Sequence, residues 1–352
     1  MPCRKYNFSS SFIIIPPLNK FIYTLSQIDK IINSFLLYNK FQSDKIVINY
    51  LYEVNMKQST NKVLMIKPVN FNFNQETAND NLYQNRSNEN DYEIQAKALE
   101  EFTNFINTLK SNGVEVIIFE DNQYPFTPDS IFPNNWFSTH NGILCIYPMY
   151  AKNRREEILK FKNKLIKKYS PIQILDFSKY AYQKSKFLEG TGAVVFDRIH
   201  KRAFCSLSKR ADKQLFLSIC KSLNYNGFTF HSQHLGAEIY HTNVLMSICS
   251  DFVFICKDLI DKNDRYSIIT ELSKYHEIIE LSPKQILSFS GNVLELEGKN
   301  GKFIIMSNTA YNCLTKKQKQ IITSKIPIVS VQINTIEKIG GGSARCMIGE
   351  IF

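Results

Sequence analysis

The sequence predicts an α/β protein built as a radial or stacked array of one repeated unit. Three observations carry this reading. Short β-rich runs come in pairs, a helical stretch follows each pair, and the order strand, strand, helix, strand recurs about every 55–60 residues. The 297 residues from Met56 onward have room for about five such units. No residue-level repeat accompanies them, so the expectation rests on element order.

Taken in order, residues 63–67 form the first strand-like run. Leu99, Phe102, Ile106 and Leu109 recur at helical spacing, Gly113 is a helix stop, and residues 114–119 form a β-rich run. Residues 143–147 read as a strand ahead of a charged helix over 154–168. The runs 193–196 and 202–206 read as paired strands, followed by a helix over 209–223. The pattern returns at 244–248, 252–256 and 265–275, and again at 293–297, 303–306 and 315–324. Residues 326–331 form a further strand. There is no GxGxxG or GxxxxGK[ST] motif, which argues against a nucleotide-binding α/β fold. Residues 1–55 lack the alternation and carry few acidic side chains. They read as an N-terminal extension, either an accessory surface segment or a stretch upstream of a true start at Met56. Residues 56–352 read as the main domain.

Composition narrows the class. The chain has 352 residues, 44% hydrophobic and 21% charged, which is too apolar for a disordered protein. No apolar run approaches the ~20 residues of a membrane span. Eight cysteines are scattered without a CxxC pair, as in a reduced cytoplasmic protein without a cysteine-based zinc site. The net charge of +11 is spread over helical stretches and interleaved with Glu, so neither nucleic acid nor a membrane is expected as a partner.

Several segments bear chemistry. Cys346 follows three consecutive glycines, Gly340, Gly341 and Gly342. It reads either as a nucleophile beside backbone N–H groups or as a buried structural cysteine after a hinge. His241 stands just before an apolar run and reads as a cleft histidine or a structural one. Glu189, before Gly190-Thr191-Gly192, reads as a carboxylate that orients an imidazole or as an exposed turn residue. The stretch from Asp129 through Phe132, Asn134 and Asn135 to Trp136 crowds polar side chains among aromatic ones, as a pocket wall does. Arg154 and Arg210 lie at expected helix starts, where a cation opposes the helix dipole. That placement suits a carboxylate ligand, though solvated arginines are the commoner case.

Together these segments resemble the guanidine-modifying pentein superfamily of arginine deiminases and dimethylarginine dimethylaminohydrolases, and within it the bacterial citrulline-utilisation hydrolases. The resemblance is carried by Met65-Ile66-Lys67-Pro68, Phe132-Pro133-Asn134-Asn135-Trp136-Phe137, Tyr147-Pro148-Met149 with Asn153-Arg154-Arg155, Glu189-Gly190-Thr191-Gly192, His241-Thr242-Asn243, Gly291-Asn292 and Gly341-Gly342-Ser343-Ala344-Arg345-Cys346. It spans 63–352 and leaves out residues 1–55. It implies a five-bladed pentein α/β propeller of ββαβ units. It implies catalysis by Cys346, His241 and Glu189, with Asp129 on the substrate ammonium and Arg154 and Arg210 on its carboxylate. Phe132, Asn134 and Asn135 complete the substrate site. The resemblance also implies a small amino-acid substrate, no metal or organic cofactor, and compatibility with a homo-oligomer.

One departure bears on the substrate. Guanidine-hydrolysing relatives place acidic residues where this chain has Asn134 and Asn135. A guanidinium is a cation and pairs with carboxylates, whereas a ureido group offers a carbonyl oxygen that needs a donor. The expected activity is therefore hydrolysis of citrulline to ornithine, CO2 and ammonia. The alternatives are a guanidine hydrolase forming citrulline, an amidinotransferase, and a non-catalytic ribosome-binding factor of the same fold.

Overall fold

The computed structural model describes residues 56–352, and the expectations for residues 1–55 lie outside the described residues. Strand β1 (Lys62–Lys67) runs parallel to β2 (Glu115–Glu120) through helix α1 (Asp91–Ser111). Strands β3 (Phe137–His140) and β4 (Ile143–Ile146) form a hairpin, and α2 (Lys152–Tyr169) leads to β5 (Gln173–Asp176), parallel to β4. The unit repeats as β6 (Val195–Asp197), β7 (Arg202–Ser206), α3 (Lys213–Ser222) and β8 (Asn226–Phe230). A small hairpin of β9 (Gln233–His234) and β10 (Ala237–Glu238) intervenes. The unit returns as β11 (Met246–Ile248), β12 (Phe252–Ile255), α4 (Lys262–Ser273) and β13 (Glu277–Glu280), then as β14 (Leu294–Gly298), β15 (Gly301–Ser307), α5 (Lys316–Thr323) and β16 (Ile328–Val331). Strand β17 (Gly349–Glu350) pairs antiparallel with β1, so the last strand completes the sheet that the first one opens.

The result is an α/β fold of five separate three-stranded sheets, each an antiparallel pair plus one parallel strand reached through a helix. None of the sheets closes on itself. The antiparallel edge strands of successive units begin at residues 137, 195, 246, 294 and 349, so two of the four spacings match the expected 55–60 residues and two are shorter. Among the described residues no helix is long and apolar enough to cross a membrane.

Local chemistry explains most boundaries. Asn90 caps α1 by accepting from Glu93 N, and the Glu93 side chain returns the bond to Asn90 N. Gly113, at φ +88°, turns the chain after this helix. Asp212 caps α3 through Leu215 N, so this helix starts at Lys213 rather than 209, and Arg210 sits in the preceding turn. Residues 244–245, expected in a strand, belong to the one-turn helix Thr242–Leu245, and Ala193 ends the one-turn helix Gly190–Ala193. A short buried apolar run has no period that separates such a turn from a strand. The third strands β5, β8 and β13 lie partly exposed and carry polar residues, so they left little alternation to read.

The inner strands supply the core. All four residues of β12 are buried, as are Val63 to Ile66 of β1. Trp136 is fully buried between Phe137, 4.7 Å away by ring centroid, and Phe161 of α2 at 6.4 Å. Gly349 on β17 lies against the Phe137 ring, where a Cβ would fall 2.3 Å from Cζ. Phe137 is 1% exposed and held by Trp136, so it has nowhere to retreat. We therefore expect Gly349→Ala to lower the unfolding free energy by ~1–3 kcal/mol through overpacking. Urea denaturation followed by circular dichroism measures it, and an unchanged midpoint would show that the ring yields freely.

Candidate active site

The antiparallel edge strand of each three-stranded sheet is entered through a tight segment, and those segments carry the site. The turn Pro133–Asn135 precedes β3, Gly190–Ala193 precedes β6, Thr242–Leu245 precedes β11, Gly291 and Asn292 precede β14, and the turn Ala344–Met347 precedes β17. Each touches the next. Thr191 Oγ1 donates to Asn134 O at 3.1 Å, and a Cβ on Gly192 would strike Asn135 Nδ2 and the His241 ring. A Cβ on Gly291 would fall 2.5 Å from Val244 O. Asn292 Nδ2 donates to Asn243 O at 3.0 Å, and Asn292 Oδ1 accepts from Arg345 N at 3.1 Å. Glycine at these contacts lets backbone meet backbone without a side chain between.

Cys346, His241, Asp129, Phe132, Asn135, Arg154 and Arg210 all line one pocket there, with Asn81 and Tyr240. It encloses only about 20 Å³, room for little more than one water molecule. Glu189 stands behind His241, its Oε2 2.7 Å from His241 Nε2. Asn134 is fully buried but does not line the pocket. Its backbone oxygen holds Thr191, while its side-chain amide has no protein partner.

The electrostatics fit a neutral Cys346 thiol beside a neutral His241 imidazole. Burial pushes Glu189 up, but Arg210 and then His241 outweigh it and hold the carboxyl well below its ordinary range. An ionised Glu189 only accepts, so His241 Nε2 carries the proton and Nδ1 is the basic nitrogen. Burial lowers His241 against the pull of Glu189. Burial likewise raises the Cys346 thiol, opposed by the Ser343 backbone bond and Asn292. Asn292 Nδ2 lies 3.2 Å and Asn243 Nδ2 3.6 Å from Sγ, two donors that stabilise negative charge on sulfur.

The arginines differ from each other. Arg154, expected to hold a substrate carboxylate, is engaged by the protein. Nε donates to Glu157 Oε1 at 2.8 Å, Nη2 to Glu157 Oε2 at 3.1 Å and to Phe132 O at 3.0 Å, and Nη1 to Asn135 Oδ1 at 2.7 Å. It fixes the Asn135 amide, whose Nδ2 keeps no protein partner. Arg210 reaches Glu189 Oε2 at 3.4 Å with Nη1 and turns its other edge to Asp80. Asp129 Oδ2 accepts from Asn74 at 2.7 Å and Thr77 at 3.3 Å, and Oδ1 has no protein partner.

Asn243 and Asn292 belong to the quoted motifs, but only the fold shows that both face Cys346. Asn81 and Asp80 come from a polar stretch whose pattern marks no site. Among the described residues Asp197, His200 and His276 have metal-ligand spacing, outside this pocket. Arg202 Nε and His276 Nε2 already donate to the same Asp197 oxygen, at 2.9 and 3.0 Å.

A profile of the family described as N,N dimethylarginine dimethylhydrolase, eukaryotic, matches residues 67–352. No characterised protein matches by sequence search. Solved structures do match. The N-terminal domain of ArgZ, described as an arginine dihydrolase from the ornithine-ammonia cycle in Cyanobacteria, superposes with a TM-score of 0.66 at 15% identity, over 82% of this chain and 97% of that one. AgrE with L-arginine gives a TM-score of 0.68 at 15% identity over 83% of this chain, which spans only 40% of that protein. A dimethylarginine dimethylaminohydrolase gives 0.58 at 14% identity, over 82% and 98%. At such identities the likeness speaks for the fold.

The raised thiol has a measurable consequence. Alkylation of Cys346 by iodoacetamide, followed by peptide mass spectrometry, should keep accelerating as pH rises through and beyond the ordinary thiol range. A rate plateau already reached near pH 6 would mean a resting thiolate–imidazolium pair and would contradict the neutral state.

Proposed function

Because the chain belongs to the N,N-dimethylarginine dimethylhydrolase family of the guanidine-modifying pentein superfamily, we propose that it hydrolyses a C–N bond at the end of an amino-acid side chain, with L-citrulline as substrate. The products are L-ornithine, CO2 and ammonia. In this reading the five sheets are the blades of a pentein α/β propeller, and residues 56–352 suffice for catalysis.

The observation that carries the substrate assignment is the orientation of Asn135. Arg154 takes its Oδ1, so Nδ2 is the group left to face a ligand. An N–H donor there suits the carbonyl oxygen of a ureido group and repels the N–H groups of a guanidinium. Glu189 offers a guanidinium no spare charge. Oε1 accepts from Tyr150 N at 2.9 Å, and Oε2 serves His241 and Arg210.

In this reading each residue has one task. Asp129 Oδ1 takes the substrate ammonium and Arg210 its carboxylate. His241 Nδ1 accepts the Cys346 proton as sulfur attacks the ureido carbon. The electron pair of the breaking C–N bond leaves with the ornithine nitrogen, which takes the proton from His241. Water, deprotonated by His241, then cleaves the S-carbamoyl intermediate to carbamate, which falls apart to CO2 and ammonia. Asn243 and Asn292 hold the sulfur in both thiolate states.

A second reading, hydrolysis of arginine or a methylarginine, draws support from the family description and from the dihydrolase and L-arginine descriptions of the structural neighbours. Purified protein incubated separately with L-citrulline, L-arginine and dimethylarginine, with ornithine, citrulline and ammonia quantified, separates the two. Ornithine from citrulline alone is the expected result, and turnover of the guanidino compounds only would reject it. Cys346→Ser should cost at least about a thousandfold in kcat with the fold intact.

Asn135→Asp places a second acceptor where Nδ2 now points. We expect the ratio of kcat/KM for citrulline over arginine to fall by about tenfold, ~1.4 kcal/mol. A ratio that stays put would show that Asn135 does not read the reacting group. A chain beginning at Met56 should fold and turn over like the full chain, and an insoluble or inactive product would place part of residues 1–55 in the core or the site.

A further inference from the structure

One wall of the pocket that should admit an amino acid is formed by Asn81, from the turns of residues 74–86. Asp80 from this segment meets Arg210. Arg210 Nε donates to Asp80 Oδ2 at 3.0 Å and Nη2 donates to Asp80 Oδ1. A carboxylate received by the two N–H groups of one guanidinium edge is the geometry an α-carboxylate would use. The pair is largely out of water, Arg210 with 2% and Asp80 with 16% of its side chain exposed. The same segment is tied down by Asn81 Nδ2, which donates to Gly340 O at 3.3 Å, and by the Tyr83 hydroxyl, 3.2 Å from His234 Nδ1. With about 20 Å³ of room beside Asn81, a ureido amino acid enters only if the pocket widens, and this segment is the wall that Asp80 ties to Arg210.

We propose that Asp80 is a built-in competitor for the substrate carboxylate on Arg210, so that the 74–86 segment opens only for a ligand that brings a carboxylate of its own. This rests on the assignment of Arg210 as the carboxylate-binding residue. Exchange of one carboxylate for another keeps the buried guanidinium paired throughout. Opening for an amine without a carboxylate leaves Arg210 without its bidentate partner, which a buried charge resists strongly. The segment thus selects α-amino acids over their decarboxylated counterparts before any contact at the reacting end. The closed state also weakens binding of the right ligand by the fraction of molecules that are open.

The test uses the full chain, L-ornithine as a ligand that cannot react, and putrescine as the same molecule without its carboxylate. Asp80→Asn should bind L-ornithine about tenfold more tightly than wild type by calorimetry, because the competitor is gone. Putrescine should gain much less. Amides of residues 74–86 should exchange with deuterium faster in Asp80→Asn than in wild type. In wild type, acetate should speed that exchange where chloride at equal ionic strength does not, a measurement that needs no variant. Unchanged or weaker ornithine binding in folded Asp80→Asn would overturn the proposal, as would an acetate effect no larger than that of chloride. Neither readout depends on turnover. A protein that passes both yet leaves citrulline intact would refute the proposed reaction and keep the gate.

Discussion

The structure depends on five tight segments in close contact with one another. Each introduces the antiparallel edge strand of a sheet, and each brings polar side chains to the same place: Asn135, Glu189, His241 with Asn243, Asn292 and Cys346. The approach is so close that Gly190, Gly192 and Gly291 admit no Cβ without striking a neighbouring segment. That closeness is what aligns Nε2 of His241 with Glu189 and two asparagine amides with the Cys346 sulfur. Closing the first sheet with the last strand holds residue 346 in place, since β17 begins three residues later. A site made from residues 135 to 346 needs this rigidity, because each side chain arrives on a different unit.

Buried charge is the second organising constraint. Arg154, Glu157, Asp129, Glu189 and Arg210 are each nearly or wholly removed from water. Such groups persist only where partners compensate for lost hydration. Arg154 meets Glu157 on two N–H groups, and Arg210 spans Glu189 and Asp80. The chain of pairs gives the site its polarity. Arg210 keeps Glu189 ionised, Glu189 fixes the tautomer of His241, and Arg154 fixes the face Asn135 presents. Two of the buried polar atoms without a protein partner, Asp129 Oδ1 and Asn135 Nδ2, belong to residues that line the pocket, where a ligand could complete them.

Parts of this were legible in the chain. The alternation of strand pairs and helices announced the ββαβ order, because buried strands and amphipathic helices write their periods into sequence. Gly113 and the helix starting near 315 sit where expected, since Gly113 at φ +88° and the Thr315–Gln318 capping box act within a turn of residues. The helix of residues 213–222 was misplaced by a few residues because Asp212, not the basic pair before it, caps it. The partly exposed third strands were faint for lack of alternation. Arg154 and Arg210 looked alike in sequence, both basic residues near helix starts. Both line the pocket, but one is bound into Glu157 and Asn135 and the other into Asp80 and Glu189.

What the sequence determined by itself is therefore local: where helices stop, which runs are apolar, and which residue types stand before each first strand. Cysteine, histidine and glutamate were visible as candidates because each sits in a distinctive glycine-rich or polar segment at the edge of an apolar run. Tertiary structure decided everything that depends on distance between units. It brought Asn243 and Asn292 to one sulfur, turned the Asn135 amide by way of Arg154, and laid Asp80 on Arg210 across 130 residues of chain. Those choices are made by hydrogen bonds and ion pairs between residues remote in sequence. Their strength comes from burial, a property no residue has until the chain has folded.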